Sequence, residues 1–142
     1  KSKKIGLLGW AFKKDTNDSR ESASIYVADH LLEEGAEVYV YDPKVNEKQI
    51  LDDLINLWES NNLPKIEIES KLKRLTVIDS YEKCFNNSSC IAILTEWDEF
   101  INYNWGALIQ KMEKQHLIID GRNILNKAEV SKVANKFIAI GK

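Results

Sequence analysis

The sequence has no apolar run approaching the roughly 20 residues that a helix needs to cross a bilayer, so no membrane-spanning helix is expected. Its start, Lys1-Ser2-Lys3-Lys4, leads into only a short apolar run and does not read as a secretory signal peptide. The chain is short of cysteine. Cys84 and Cys90 are its two, too few for a metal centre without further ligands at suitable spacing. They read as small buried or half-buried thiols in a reducing cytosol, which gives the expectation of a cytoplasmic protein. The two histidines, His30 and His116, lie far apart inside apolar patterns and read as structural or surface residues. There is no excess of one charge either. Lys plus Arg is 20 and Asp plus Glu is 22, a net charge of −2, which argues against wrapping nucleic acid. The first strand-like run ends in Gly6-Leu7-Leu8-Gly9, which lacks the G-x-G-x-x-G spacing of a dinucleotide-binding turn. No internal repeat and no low-complexity linker is present. The first residue is not Met, and the chain is read as an excised piece of a longer protein.

What is present is a core for one domain over residues 1–142: the hydrophobic fraction is 44%. Short runs rich in β-branched residues recur at 5–8, 38–41, 75–78, 91–94, 117–119 and 137–140. Their near-continuous apolarity is that of strands buried on both faces. Helical stripes lie between them. Ala23, Ile25, Val27, Ala28, Leu31 and Leu32 form one face, closed by Gly35; Ile50, Leu51, Leu54, Ile55 and Trp58 form a second; Trp105, Leu108, Ile109 and Met112 a third; Val130, Val133 and Ala134 a fourth. The alternation predicts an α/β fold: a doubly wound, mainly parallel six-stranded sheet, three layers thick, of Rossmann-like type, for which the order 3-2-1-4-5-6 is assumed. Segment 60–74 fits least well. Ile66 and Ile68 alternate with Glu67 and Glu69, as in an edge strand or an exposed insertion.

In that strand order the loops after the first, fourth and fifth strands meet on one rim. They carry residues 9–18, Thr95-Glu96-Trp97-Asp98 and Asp120-Gly121-Arg122. The stretch from Gly9 to Ser22 holds the cations Lys13, Lys14 and Arg20 and opens a helix, whose free N–H groups attract anions. An anionic ligand is therefore expected. Asp18-Ser19-Arg20-Glu21 has the spacing of a capping box. Arg20 then falls in the first helical turn, where a cation opposes the macrodipole, so a phosphate or carboxylate partner is predicted for it. Lys13 and Lys14 beside Trp10-Ala11-Phe12 are either a solvated face or a ring-and-phosphate contact. Arg122 either pairs with Asp120 or offers its fork to an anion. Asp42, followed by Pro43, reads as a turn former rather than a ribose ligand, and Trp97 as a cover for the sheet end.

Phe12-Lys13-Lys14-Asp15-Thr16 followed by Asp18-x-Arg20-Glu21-Ser22 resembles the opening of the C-terminal domain of the UDP-glucose 6-dehydrogenases, within the UDP-glucose/GDP-mannose dehydrogenase family. Tyr41-Asp42-Pro43-Lys44, Thr95-Glu96-Trp97-Asp98-x-Phe100 and Asp120-Gly121-Arg122 follow in the family's order. The resemblance implies a domain that binds the UDP part of UDP-glucose, with Phe12, Lys13 and Arg122 on the substrate and Arg20 toward an NAD cofactor held mainly by another domain. It implies an NAD-dependent oxidation of UDP-glucose to UDP-glucuronate by the full-length protein, through a cysteine thiohemiacetal. It also implies as partners an amino-terminal NAD domain, a central helix and further copies in a homo-oligomer. The catalytic cysteine motif has no counterpart here; neither Cys84 nor Cys90 is assigned as nucleophile, and this chain alone is expected to be inactive. The alternatives are the same domain acting with UDP-N-acetylmannosamine or GDP-mannose, a non-catalytic α/β binding or assembly module, and a free-standing NAD module.

Overall fold

A computed structural model describes residues 2–140. The chain runs β1 (Lys4–Leu8), α1 (Ala23–Glu33), β2 (Glu37–Tyr41), α2 (Glu47–Ser60), α3 (Lys65–Leu72), β3 (Leu75–Val77), α4 (Glu82–Phe85), β4 (Cys90–Ile93), α5 (Asp98–Ile101), α6 (Trp105–Ile109), β5 (Leu117–Asp120), α7 (Lys127–Val133) and β6 (Phe137–Ala139). All six strands are parallel, in the order β3-β2-β1-β4-β5-β6. The predicted order is the observed one, and each predicted run lies within a residue or so of its strand. Leu7, Leu8, Val38, Val40, Ile91, Ile93 and Ile118 are fully buried, as expected of strands covered on both faces. Helices α1, α2 and α3 pack on one another as one layer, and α4, α6 and α7 as the other.

Segment 60–74 is a correction. It contains a helix, α3, and neither an edge strand nor a loose insertion. Ile66 points to solvent at 75% exposure while Ile68 is buried. The alternation that suggested a strand is one helical turn seen from its two sides. What docks α3 is a cation. Lys71 Nζ lies 2.5 Å from Glu33 and 3.3 Å from Asp29, both on α1, and 5.5 Å above the Trp58 ring of α2. Asp29 in turn accepts a hydrogen bond from Trp58 Nε1 at 2.7 Å. Burial disfavours the charged ammonium, but the Glu33 hydrogen bond and the Asp29 charge outweigh it, and the Lys71 pKa is raised.

The helix start is a second correction. The N-cap of α1 is Ser22, whose side chain accepts from Ser24 N–H. Glu21, the supposed reciprocal partner of a capping box, sits at φ 59° and outside the helix. Arg20 therefore precedes the first helical residue and does not oppose the dipole from within.

His116 has the structural role expected of it. The Asn135 N–H donates to its Nε2 at 2.9 Å, which leaves Nδ1 as the donor to the Glu113 carbonyl, 2.7 Å away. The ring thus ties the start of β5 to the start of β6. His30 is exposed. Both cysteines are free. Burial pushes the thiol pKa up to about 12 at Cys84 and to about 11 at Cys90. The thiolate is the reactive form. Ellman's reagent at pH 8 is therefore expected to leave both thiols of the folded chain almost unmodified and to titrate two per chain in denaturant. Rapid reaction of either in the folded state would contradict this packing.

Candidate functional site

The carboxyl ends of β1, β4 and β5 are adjacent, and their loops meet as the strand order requires. The β1 loop closes on itself through the Phe12 N–H, which donates to the Asp18 carbonyl at 2.7 Å. Asp42, at the end of β2, pins its base. Its Oδ2 accepts the N–H groups of Trp10 (2.6 Å) and Ala11 (2.9 Å) and Trp97 Nε1 (3.1 Å); its Oδ1 accepts those of Lys44 (2.8 Å) and Val45 (2.9 Å). Asp42 is the turn former expected beside Pro43, and more: one buried carboxylate joins the loops after β1, β2 and β4. It also occupies N–H groups that a dinucleotide phosphate would need. Gly9, at φ 105°, is pressed against Thr95, where a Cβ would come within 2.4 Å of Oγ1. The first turn thus closes against its own protein, and an NAD pyrophosphate does not fit there in the Rossmann manner.

The β4 loop binds its neighbours with five consecutive residues. Thr95 Oγ1 donates to the Ala11 carbonyl at 2.8 Å. Glu96 faces Arg122 across 2.6 Å. Trp97 reaches Asp42, so it is a connector as well as the expected cover. Asp98 pairs with Lys14 at 3.2 Å, and that hydrogen bond raises the lysine pKa. Glu99 Oε2 accepts from Tyr103 OH (2.5 Å) and Tyr41 OH (3.1 Å). Burial first, then the Glu99 carboxylate, raises both phenol pKa values. Sequence reasoning gives Asp98 and Glu99 no role of their own. No local signal marks them, because polar residues in a loop after a strand are ordinary.

Arg122 does not pair with Asp120 through its guanidinium. Asp120 takes the backbone N–H groups of Arg122 and Leu125 instead (3.1 and 2.8 Å). The guanidinium lies along the β4 loop, with Nη1 donating to the Leu94 carbonyl at 3.0 Å and Nη2 beside Glu96. Lys14 and Arg122 are thereby brought to residues two apart on one loop. Lys13, next to Lys14, is exposed and has no ion pair among the described residues. Phe12 is 51% exposed and falls on the other side of the β1 loop, in a crevice of about 740 Å³ between α1 and α2 that also holds Arg20, Tyr26, Asn56 and Leu57. So Lys14 and Arg122 meet on the rim, with Lys13 exposed beside Lys14, whereas Phe12 and Arg20 share the crevice. Arg20 is held by its own near neighbour rather than by a ligand. The guanidinium grips Asp18 in a two-point contact (3.1 and 2.9 Å), and that bond lowers the Asp18 pKa to about 2. The pair is exposed, Arg20 at 89%, and such surface pairs are easily exchanged for another anion.

Residues 6–127 match the UDP binding domain of the UDP-glucose/GDP-mannose dehydrogenase family. The chain is 40% identical over 144 residues to UDP-glucose 6-dehydrogenase of Mus musculus, covering 99% of the chain and 28% of that protein. It is 39% identical over 145 residues to UDP-glucose 6-dehydrogenase 2 of Arabidopsis thaliana, covering 99% and 30%. Among solved structures it is similar to a UDP-D-ManNAc dehydrogenase from Pyrococcus horikoshii, with a TM-score of 0.68 and 27% identity over 99% of this chain and 26% of that one. The chain thus spans less than a third of the length of these relatives. No described helix is long and apolar enough to cross a membrane. The order of strands, the cationic rim and these matches converge: the chain belongs to the UDP-glucose/GDP-mannose dehydrogenase family and is its UDP binding domain.

Proposed function

We propose that residues 1–142 form the carboxy-terminal, UDP-sugar-holding part of an NAD-dependent UDP-glucose 6-dehydrogenase. The diphosphate would lie over the β1–β4–β5 rim against Lys13 and Arg122, with Phe12 packing on the nucleotide sugar. Arg20, on the crevice side, would exchange Asp18 for the cofactor presented by a second domain. That cofactor, when bound, accepts hydride from the sugar carbon being oxidised; the role of this chain is to hold and orient the substrate. The observation that carries the reading is Arg122. A half-buried guanidinium is immobilised on the β4 loop, next to a second cation-bearing loop, where helix and sheet packing give it no task. UDP-glucose is the sugar read here because the relatives at 39–40% identity over 99% of the chain are named for glucose. The high thiol pKa values of Cys84 and Cys90 agree with placing the nucleophile elsewhere in the full-length protein.

Charge-assisted hydrogen bonds contribute roughly 1.5–3 kcal/mol each, equivalent to about ten- to a hundredfold in affinity. In the full-length protein, Arg122→Ala is expected to raise the KM for UDP-glucose by that factor and to leave the KM for NAD nearly unchanged. Arg20→Ala is expected to do the reverse. Steady-state kinetics with each substrate varied in turn decides it, and an unchanged UDP-glucose constant in Arg122→Ala would make Arg122 a purely structural residue.

A further inference from the structure

Glu96, like Asp98 beside Lys14, is a carboxylate on the rim that anion binding does not call for. Its carboxylate puts a negative charge where a diphosphate is to arrive. The cost of this arrangement is visible in the geometry. Glu96 Oε1 is buried and 2.6 Å from Arg122 Nη2, yet no N–H of the guanidinium is aligned on it, so the atom accepts no proper hydrogen bond. Both side chains are mostly covered, 33% exposed for Arg122 and 27% for Glu96. A buried acceptor left without a donor is unfavourable. A counter-charge serving stability alone would gain more from full alignment.

We infer that Glu96 is a positioning residue, which together with the Leu94 carbonyl holds the Arg122 guanidinium in its substrate-binding orientation before the nucleotide arrives. This rests on the proposed UDP site. Nη1 is tied to the Leu94 carbonyl and Nη2 is drawn against Glu96, while Nε has no partner among the described residues. Arg122 is therefore fixed on one side and open on the other. Ordering a long, rotamer-rich side chain is one of the main costs of binding, and here that ordering precedes the ligand. The planar fork of arginine, unlike a lysine ammonium, can be gripped on one edge and still present donors on the other. Because no N–H is aligned on Glu96, the Nη2 protons stay available to a phosphate oxygen. Positioning and mere charge pairing predict opposite signs. If Glu96 positions Arg122, its loss weakens nucleotide binding. If it only neutralises Arg122, its loss removes a repulsive charge and strengthens binding.

The test is titration of the 142-residue chain with UDP, followed by ¹H–¹⁵N NMR, which reads millimolar as well as micromolar constants. Glu96→Ala is expected to weaken UDP binding about tenfold. Glu96→Gln, which keeps an oxygen at the same reach, is expected to recover most of that loss. In an Arg122→Ala background, Glu96→Ala is expected to add no further change, because there is then nothing to position. The amide spectra also report the fold, and the isosteric Gln variant keeps the comparison intact where Ala loosens the loop. Equal or tighter UDP binding by Glu96→Ala overturns the inference while leaving the UDP site standing. An Arg122→Ala chain that binds UDP as well as the unsubstituted one overturns the UDP site itself, and this inference with it.

Discussion

Asp42→Ala is expected to lower the stability of the chain by on the order of 3–5 kcal/mol. The carboxylate is buried and accepts five hydrogen bonds, from the N–H groups of Trp10, Ala11, Lys44 and Val45 and from Trp97 Nε1. Each bond to a charged acceptor is worth about 1.5–3 kcal/mol, but they share two oxygens and do not add. Water entering the vacated space recovers part of the loss, which sets the upper limit. The remainder is a large share of the roughly 5–15 kcal/mol by which domains of this size are stable. Urea denaturation is the measurement, and the midpoint should fall by about 2 M for a slope near 2 kcal/mol per M. Trp97→Phe is the internal control. It removes a single donor to Asp42 while keeping an aromatic cover, and about 1 kcal/mol should be lost. Should Asp42→Ala cost no more than Trp97→Phe, the three loops are not held by this carboxylate.

Gly9→Ala is expected to be nearly as damaging for a different reason. The residue sits at φ 105°, a region that L side chains rarely adopt, and a Cβ there would meet Thr95 at Oγ1 (2.4 Å), at Cβ (2.5 Å) and at the backbone N (2.7 Å). The backbone nitrogen cannot swing away as a side chain could. Relief requires the β1 and β4 loops to part, which breaks the bond from Thr95 Oγ1 to the Ala11 carbonyl. Gly35 separates the two causes. It ends α1 at φ 90°, and a Cβ added there would meet nothing within 4 Å. Gly35→Ala therefore carries only the left-handed backbone penalty, about 1–2 kcal/mol. Gly9→Ala should cost about 4 kcal/mol or more, the excess being the collision. Denaturation midpoints of the two variants that coincide would show that the β1–β4 contact yields freely.

The sheet was legible because its strands are apolar runs whose partners are chosen by general rules of winding and handedness, not by particular side chains. Alternation indicates a parallel, doubly wound sheet, and the order β3-β2-β1-β4-β5-β6 is the one that class and the family resemblance imply. Where single residues decide, the pattern misled. Ile66 and Ile68 read as an alternating strand because the docking of α3 rests on Lys71, a charged residue that periodicity counts as solvent-facing. Asp18 and Glu21 have the spacing of a capping box, but the loop closes earlier, through the Phe12 N–H and the Asp18 carbonyl, and Ser22 takes the cap. At the site, the cations Lys13, Lys14 and Arg122 stood out by charge. Their arrangement did not, because Arg122 is oriented by Leu94 and Glu96 and Lys14 by Asp98, partners that no local rule connects. Thr95-Glu96-Trp97-Asp98-Glu99 looks unremarkable in one dimension and becomes the common attachment of the rim in three.

That attachment also fixes when the rim comes into being. The bonds from Thr95 to Ala11 and from Lys14 to Asp98 each span 84 residues, that from Tyr41 to Glu99 spans 58, and that from Trp97 to Asp42 spans 55. Contacts so distant along the chain form only after a costly loop closure. The β1–α1–β2 unit, with Asp42 holding Trp10 and Ala11, can assemble from nearer neighbours, while the Ala11 carbonyl and Lys14 wait for partners that leave the ribosome some 84 residues later. The binding surface is thus a late product of folding, completed when β4 takes its place beside β1. Until then the β1 loop, held at its base by Asp42, lacks its β4 side and is more open to the proteases and chaperones of the cell that makes it.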